Sequence, residues 1–379
     1  MTIKPRREEV GDGVFLGTST PSGHPMRYLC LLLGLSASFA VHFSATRAHA
    51  DVCKLSKTFQ LTGDLAGKRP GKKATDISGI ACMDRPGSMF YRCLVVNDEN
   101  QTAQFVTVQG GSIAVGSEVQ LIGASPDPGT LGQPPNVSCP GGNGAFGEFD
   151  GEGVAYSEPY FFVVGSHGCS RKRGLFRLSQ FLLARIEVDK QGKIVDRTAT
   201  YRLSDALRQA KKVGGFFGKD LNSANGLNVE GVVVVDKKLV VGLRGPSLQD
   251  NAYLVTASLA SLFSPGSAIE KTDDVELIPL PFGKPLGVRD LAPLPDGRVL
   301  VLAGPAQEQK LDFEFFVAEP RPGGALTQLC TVAQVRESET VGKAEAVTVL
   351  EVTGGSMRVL VFFDGLTNGG PREYLVPVR

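Results

Sequence analysis

The segment Asp150-Gly-Glu-Gly-Val-Ala155 has four counterparts elsewhere in the chain, and this repeat decides the fold class. The counterparts are Asp76-Ile-Ser-Gly-Ile-Ala81, Asn228-Val-Glu-Gly-Val-Val233, Gly287-Val-Arg-Asp-Leu-Ala292 and Lys343-Ala-Glu-Ala-Val-Thr348. Each one begins with a polar residue, which is followed by a charged or small residue. Next come a position with little space for a side chain and the apolar start of a strand. A second apolar strand follows every copy, which is typical of a protein built from β-rich structural repeats.

Each repeat is predicted to contain about four short strands, because period-two alternation and β-branched residues recur after every motif. The fourth strands of the first two repeats are predicted over Glu118–Ile122 and Ala199–Leu203. The fifth repeat is one strand short after Glu373–Val378, and the missing strand is predicted at Leu55–Leu61.

We therefore predict an all-β fold, a β-propeller of five four-stranded blades whose last blade is closed by the N-terminal strand of the mature chain. Such closure removes the open edges of the sheets. A sixth blade within the longer first two repeats and an irregular β-sandwich are the alternatives.

The first 50 residues have the pattern of an export signal. Met26-Arg27 open a basic region, Leu29–Val41 is apolar but too short to span a membrane, and Ala48-His49-Ala50 matches a cleavage site. We expect residues 1–50 to be a signal peptide, with Met26 as an alternative start, and residues 51–379 to form one periplasmic or secreted domain. No membrane span is expected after cleavage; a retained membrane anchor is the alternative.

The charge balance limits the classes of partner, and the cysteines indicate the compartment. The chain has 40 Lys and Arg against 39 Asp and Glu, and residues 51–379 keep 35 against 36, so nothing favours a nucleic-acid partner. Six cysteines remain without any C-x-x-C spacing, and an even count in an exported chain indicates disulfides. From their places in the repeats, the expected pairs are Cys82–Cys93, Cys139–Cys169 and Cys53–Cys330.

One end of the central channel is predicted to carry the functional site. In a propeller, the starts of the inner strands and the exits of the second strands lie on the same face, which the insertions 123–149 and 204–227 also enter. Several carboxylates at the inner-strand starts would repel one another unless a cation or arginines neutralise them. Asp150, Asp290 and Glu345 are therefore predicted as ligands of Ca²⁺ or Mg²⁺, which prefer oxygen.

The remaining candidates belong to the same face. Glu152, Glu230 and His167 are predicted as catalytic acid or base groups, and Arg244, Arg289, Ser166 and Asn228 as contacts of a small anionic ligand. His167 is the one histidine of residues 51–379, so a multi-histidine zinc site is excluded. The alternative is that Arg244 and Arg289 pair internally with the acids and the channel carries no chemistry.

The motifs together resemble those of a bacterial family known as domain of unknown function 3616, which is akin to the esterase-like phytase domains. The resemblance covers nearly all of residues 70–379 and is carried by Asp150–Ala155, Val164-Gly-Ser-His167, Leu227–Val232, Gly242-Leu-Arg-Gly-Pro246, Gly287–Leu291 and Phe363-Asp-Gly365. It implies a propeller in an exported or periplasmic setting, without an established activity. Ser78 and Ala346 depart from the repeat pattern, so a complete ring of acids is not expected.

The kinship to phytase-like domains suggests phosphoester hydrolysis assisted by a divalent ion, an analogy drawn from the fold. The expected function is thus an exported propeller that binds a divalent cation and a small anionic ligand at the channel mouth, with ester or phosphoester hydrolysis as its reaction. The alternative is a non-catalytic binding or scaffold propeller for a protein or cell-envelope partner.

Overall fold

The computed structural model describes residues 51–265 and 275–378, which form five β-sheets. Blade one contains β3 (Ile77–Cys82), β4 (Tyr91–Asn97), β5 (Thr102–Gln109) and β6 (Ser112–Gln120). Blade two contains β7 (Gly151–Ser157), β8 (Tyr160–Gly165), β9 (Leu183–Val188) and β10 (Ile194–Thr200). Blade three contains β11 (Asn228–Val235), β12 (Lys238–Leu248), β13 (Asn251–Ser258) and β14 (Glu276–Pro281).

The last two blades follow the same order. Blade four contains β15 (Leu286–Pro293), β16 (Val299–Pro305), β17 (Phe313–Ala318) and β18 (Leu326–Val332). Blade five contains β20 (Thr340–Val352), β21 (Ser356–Asp364), β22 (Arg372–Pro377) and β1 (Lys54–Thr58), while the short β19 (Val335–Glu337) pairs with β20. The short helices in the connections are α1 (Arg202–Gln209), α2 (Lys211–Gly214), α3 (Leu221–Ala224) and α4 (Leu259–Phe263).

The first strand of each blade faces the central channel. β3 contacts β7, β7 contacts β11, β11 contacts β15, β15 contacts β20, and β20 returns to β3, so the inner strands close a ring. The prediction of a five-bladed propeller is confirmed, and the six-bladed and sandwich alternatives are wrong. Apolar side chains fill the gaps between blades; Val240 and Leu254 of blade three, for example, share one buried cluster with Val301 of blade four.

The N-terminal segment ties three blades together. Val52 bridges to Thr331 in blade four, and β1 then pairs antiparallel with β22 and completes blade five, as predicted. After Phe59 the chain forms β2 (Gln60–Thr62), which adds to the outer strand of blade one in parallel. The one strand predicted at Leu55–Leu61 is therefore two strands in two different sheets.

The fourth strands of blades one and two begin earlier in the structure than predicted. β6 and β10 begin at Ser112 and Ile194, several residues before the predicted starts Glu118 and Ala199. Tight turns explain this, because the Asp189 carbonyl accepts the N–H of Gly192 at 2.9 Å and the chain reverses there, ahead of β10. In the part of the chain that the structure describes, no helix has the length and apolar character needed to cross a membrane.

All three expected disulfides are present. Cys53–Cys330 fixes the N-terminal segment to blade four, Cys82–Cys93 joins facing residues of β3 and β4, and Cys139–Cys169 joins the first insertion to blade two. Such bonds form and persist in oxidising compartments, so they fit a periplasmic or extracellular protein. The predicted signal peptide lies in residues 1–50, outside the described residues, and stays a prediction.

Candidate channel-mouth site

A β-bulge occurs at the same place in all five inner strands. The pairing of each inner strand with its second strand skips one residue, the third residue of the repeated motif. The skipped residues are Ser78, Glu152, Glu230, Arg289 and Glu345. A bulge re-aims the side chain of the extra residue, so one structural device is repeated five times around the channel.

In blades one to three the residue after the bulge is a glycine, which allows the neighbouring inner strands to approach closely. A Cβ on Gly79 would lie 2.7 Å from the Cα of Gly153, and a Cβ on Gly231 would lie 2.8 Å from the Cα of Asp290. Real side-chain atoms do not tolerate such contacts, and glycine supplies the space. In these three blades the glycine of the motif therefore permits close packing of adjacent inner strands, and the bulged residue precedes it directly.

Three of the bulged residues form a buried acidic group. Carboxylate oxygens of Glu152, Glu230 and Glu345 all lie within 4.8 Å of one another, and this trio could hold a metal ion. Ca²⁺ and Mg²⁺ are the cations that such oxygen ligands suit. The sequence assigned metal binding to Asp150, Asp290 and Glu345, of which Glu345 belongs to the trio that the structure brings together.

Two arginines neutralise part of this charge. Arg244 Nη1 donates to Glu230 Oε1 at 3.0 Å, and its Nε donates to the Ala306 carbonyl at 3.1 Å. Arg289 Nη2 lies 3.4 Å from Glu230 Oε2 and also donates to Glu345 Oε1. The internal pairing weighed as an alternative therefore exists, and it uses both oxygens of Glu230.

The pKa values of this network follow from burial and from the two arginines. Burial works to raise the pKa of Glu230, but Arg289 and Arg244 outweigh it and hold that pKa below its usual value. Burial lowers the pKa of Arg289 to about 10, and the positive charge of Arg244 adds to this effect. Glu230 is thus an ionised structural partner of two arginines.

Glu152 is different. Its side chain belongs to a residue that is only 5% exposed, yet within the described residues it has no hydrogen bond and no ion pair. Burial first, and the nearby carboxylates of Glu230, Asp150 and Asp98 next, raise the pKa of Glu152 well above its usual value. A buried carboxyl of this kind needs a proton or a cation as its partner.

Asp290 lies beside Arg289 in the sequence but has a different structural role. Its Oδ1 accepts the N–H of Leu291 at 2.8 Å and its Oδ2 accepts the N–H of Val347 at 2.7 Å. Burial raises the pKa of Asp290 well above its usual value, while these two hydrogen bonds work in the opposite direction. The structure places Asp290 as a link between blades four and five, outside the acidic trio.

The predicted residues of blades two and three line a polar wall near the mouth. The Asp150 carbonyl accepts the Ser166 N–H at 3.0 Å, and the Asp150 carboxylate accepts a hydrogen bond from the Ser166 side chain. Burial raises the pKa of Asp150, which the Ser166 hydrogen bond opposes. Asn228 reaches the Ser166 carbonyl through Nδ2 at 3.5 Å, and its buried Oδ1 has no hydrogen-bond partner among the described residues.

His167 is wholly buried. Its Nδ1 lies 2.8 Å from the Gly165 carbonyl, which can only accept, so Nδ1 carries the proton. The ring packs edge-on against Phe181, and Nε2 has no partner among the described residues. Burial lowers the pKa of His167 to about 4, so the imidazole is neutral at pH 7.

Sequence reasoning missed Arg171, which has no equivalent in the other repeats. Its side chain is 42% exposed, and its Nη2 lies 3.6 Å from Asp98 Oδ2. Burial disfavours the charge, but the carboxylates of Glu152, Glu230, Asp98 and Asp150 together raise the pKa of Arg171. The Cys139–Cys169 disulfide lies two residues away, so it helps to hold this cation above the acids.

A second acidic pair lies where blade five meets blade one. Burial, together with a hydrogen bond to the Asp364 carboxylate, raises the pKa of Asp76 to about 6, although the Thr75 hydroxyl opposes this. Lys343 Nζ lies 3.0 Å from Asp364 Oδ2 and helps to keep Asp364 ionised. The mouth therefore carries more carboxyl groups than cations.

The other end of the channel is apolar. A cavity of about 170 Å³ lies there, between later residues of four inner strands, among them Ala81, Ala155, Leu291 and Val349. Since the inner strands all run in the same direction through the channel, the charged bulges lie at one end and this cavity at the other. The candidate site is thus confined to the mouth where the inner strands begin.

Comparisons with solved structures find matches of low sequence identity and low TM-score. A GH43 β-1,3-galactosidase is 12% identical over 86% of this chain and 95% of that chain, with a TM-score of 0.42. An α-L-arabinofuranosidase from Fusarium graminearum is 10% identical over 86% of this chain and 98% of that chain, with a TM-score of 0.40. A protein from Lactobacillus plantarum is 14% identical over 81% of this chain and 72% of that chain, with a TM-score of 0.32. These similarities carry no argument about the activity of this chain.

The comparison with protein families is decisive for family membership. A search of the curated proteins finds no match. A family model described as a protein of unknown function, DUF3616, matches residues 142–181 and 183–372, which is more than half of the chain. With its five-bladed ring and its repeated motif, the chain belongs to the DUF3616 family.

Proposed function

We propose that the channel mouth binds a divalent cation together with a small anionic ligand. We further propose that this ligand is an ester or phosphoester, which the protein hydrolyses with the help of the cation. One observation carries the proposal. Glu152 is a buried carboxyl without a protein partner among the described residues, and it lies within 4.8 Å of two further carboxylates. The charges support a cation because three carboxylates face only two buried arginines at this level of the channel.

The same ring supports an anionic ligand. Arg289 Nε is buried and has no hydrogen-bond partner among the described residues, so one donor of the ring is unused. Arg171 is partly exposed above the acids and can receive a carboxylate or phosphate from solvent. A divalent ion at Glu152 would change the local charge from negative to positive and would strengthen the attraction for such an anion.

The roles of individual residues follow from their surroundings. Glu152 and Glu345 would hold the cation, and the chemistry that it would supply is Lewis-acid polarisation of an ester and activation of water. Arg171 and Arg289 would hold the anionic part of the ligand. Glu230 would position Arg244 and Arg289 through its two ion pairs, and His167, being neutral and buried beside Phe181, would support the wall of the site.

The experiment uses the purified 51–379 chain with its disulfides formed. Melting temperature is followed during titration with Ca²⁺, Mg²⁺ and Mn²⁺, for the wild type and for Glu152→Gln, with Glu158→Gln as a control of equal charge change. We expect at least one cation to raise the melting temperature of the wild type and the control, and to have no effect on Glu152→Gln. A wild type that no cation stabilises refutes the cation proposal.

The reaction is tested next. A panel of phosphate monoesters, phosphate diesters and carboxylate esters is assayed with the stabilising cation present. Turnover that is lost in Glu152→Gln and kept in Glu158→Gln supports a hydrolase. Inactivity of a folded, cation-bound wild type on the whole panel refutes the hydrolytic part.

A second function is favoured by the arginine pairing. Glu230 has both oxygens engaged by Arg244 and Arg289, as expected of a channel whose charges only stabilise the ring. In that case the propeller is a non-catalytic binding or scaffold protein for a protein or cell-envelope partner, and the mouth is the face that meets it. The same titration separates the two functions, since a scaffold predicts no stabilisation by any cation.

A further inference from the structure

The five bulged residues do not occupy the ring evenly. The order of contacts between inner strands places β3 between β20 and β7, so Ser78 lies between Glu345 and Glu152. Arg289 on β15 lies on the far side, between Glu230 and Glu345. Ser78 is the one short side chain among the five bulges, and its strand β3 is not adjacent to β15, which carries Arg289, in the order of contacts around the ring.

The carboxylate oxygens of the ring fall into two groups: those that contact an arginine and those that do not. Both oxygens of Glu230 and Oε1 of Glu345 contact arginine nitrogens. Within the described residues, Oε2 of Glu345 and both oxygens of Glu152 have no hydrogen-bond or ion-pair partner. The unused oxygens therefore belong to the two residues that flank Ser78.

The Ser78 hydroxyl is available as a ligand. The residue is only 2% exposed, and its Oγ donates one long hydrogen bond of 3.4 Å to the Asp76 carbonyl. That bond uses the proton and leaves the lone pairs of Oγ without a donor among the described residues. A neutral hydroxyl and three carboxylate oxygens are ligand atoms that Ca²⁺ and Mg²⁺ accept.

We infer that the cation site is off-centre in the channel, on the blade-one side, and that Ser78 is its fourth protein ligand beside Glu152 and Glu345. This inference rests on the proposed function and deepens it, because it assigns Glu230 to the arginines instead of the cation. It also explains the departure of the first repeat from the acidic pattern: a fifth long side chain at residue 78 would fill the space in which the cation binds.

The test changes the charge and size at residue 78 and leaves the rest of the ring intact. In the disulfide-bonded 51–379 chain, Ser78→Asp adds a carboxylate to the site, Ser78→Ala removes the hydroxyl ligand, and Ser78→Lys brings an ammonium group into the cation position. Ser112→Asp and Ser112→Lys make the same charge changes at an exposed serine of the same blade. Calorimetric titration with Ca²⁺ and with Mg²⁺ alone measures the affinity of each variant.

The expected results differ in sign. Ser78→Asp tightens binding by about tenfold, since the affinity of such sites rises with the number of charged ligands. Ser78→Ala weakens it by about fivefold, the equivalent of one polar contact. Ser78→Lys abolishes binding and raises the melting temperature in cation-free buffer, because the tethered ammonium pairs with Glu152. The Ser112 variants bind as the wild type does.

The possible failures are distinct. If the wild type binds neither cation, the proposed function fails, and the inference fails with it. If the wild type binds a cation and both Ser78→Asp and Ser78→Ala bind within twofold of it, the function stands and the position at Ser78 is wrong. If Ser78→Lys does not fold, as judged by circular dichroism, the Asp and Ala variants decide the question.

Discussion

The carboxylate of Asp290 accepts the backbone N–H of Val347 at 2.7 Å and thereby ties the inner strands of blades four and five together. In the three preceding blades the same motif position is a glycine, which lets the backbones touch. Here the contact between inner strands is made through a side chain. An aspartate next to an arginine at a channel mouth can thus stabilise the ring of inner strands instead of binding a ligand.

We predict that Asp290→Ala destabilises the protein by about 3 kcal/mol, because two buried N–H groups lose their acceptor. Urea unfolding of the 51–379 chain measures the change. Asp296→Ala is the control, since Asp296 lies in the β15–β16 turn of the same blade and is half exposed. Equal effects of the two variants would contradict the role given to Asp290.

The Arg244–Glu230 pair should show strong coupling. Arg244→Met leaves a buried charge without one of its partners and should cost about 3 kcal/mol of unfolding free energy. The double variant Arg244→Met/Glu230→Gln should cost less than the sum of the single changes, with a coupling of about 1–3 kcal/mol. The exposed pair Arg321–Glu319 serves as the control cycle and should couple by less than about 1 kcal/mol. Additive effects at Arg244 and Glu230 would show that the ion pair contributes nothing.

His167 should make stability depend on pH. Its pKa is about 4 in the folded protein against an ordinary value of 6.5, so the unfolded chain binds the proton more readily. The contribution to stability is therefore fully present above pH 6.5 and is lost as the pH falls towards 4, by about 3 kcal/mol in total.

Chemical unfolding at pH 7.5 and pH 4.5 measures this change, and His167→Asn is the comparison. Asparagine cannot titrate, retains an N–H donor for the Gly165 carbonyl, and tolerates the positive φ of 51° at this position. The wild type should lose about 2.5 kcal/mol more than the variant between the two pH values, because the loss is complete only below pH 4. Equal losses of unfolding free energy in the wild type and in His167→Asn would show that another group causes the pH dependence.

The disulfides should contribute unequally. Cys53–Cys330 closes a loop with a sequence separation of 277 residues and Cys82–Cys93 one of 11. In the chain-entropy model, this corresponds to about 5–6 kcal/mol for the long loop and about 3 kcal/mol for the short one. Unfolding of Cys53→Ser/Cys330→Ser and of Cys82→Ser/Cys93→Ser measures the two losses, and a larger loss for the short loop would contradict the prediction.

Arg171 should oppose the cation and assist the anion. Arg171→Gln removes a positive charge from above the acids, so Ca²⁺ or Mg²⁺ should bind about five- to tenfold more tightly and inorganic phosphate more weakly. Calorimetry with each probe gives the two affinities. Arg173→Gln, at an exposed residue of the same loop, should change neither. Changes of the same sign for cation and phosphate would overturn this role.

The repeat made the architecture predictable, because the motif marks the start of every inner strand and thus gives blade number, strand direction and the end of the channel where the acids lie. The disulfides could be paired from the same positions. The bulges could not be seen in the sequence, since nothing in a motif such as Asp150–Ala155 shows which residue the pairing skips. They explain why Arg289 is in the charged ring and its neighbour Asp290 is not.

Other parts of the site depend on contacts between distant residues. Arg171 belongs to a loop unique to blade two, so no comparison between repeats could point to it. The burial of His167 beside Phe181 follows from the packing of the insertion against blade two and not from the local sequence. A signal was available for Asp290, because adjacent residues of a strand point to opposite sides.

The pairing of β1 with β22 has a consequence for the order in which the protein can be completed. Lys54 faces Leu375, so a strand that is synthesised early waits for one that is synthesised much later. Until Arg372–Pro377 has left the ribosome and reached its compartment, β21 has an unpaired edge that other chains can join. Closure of the ring is therefore expected late in synthesis, and a chain that ends between β21 and β22 is expected to keep an open sheet edge.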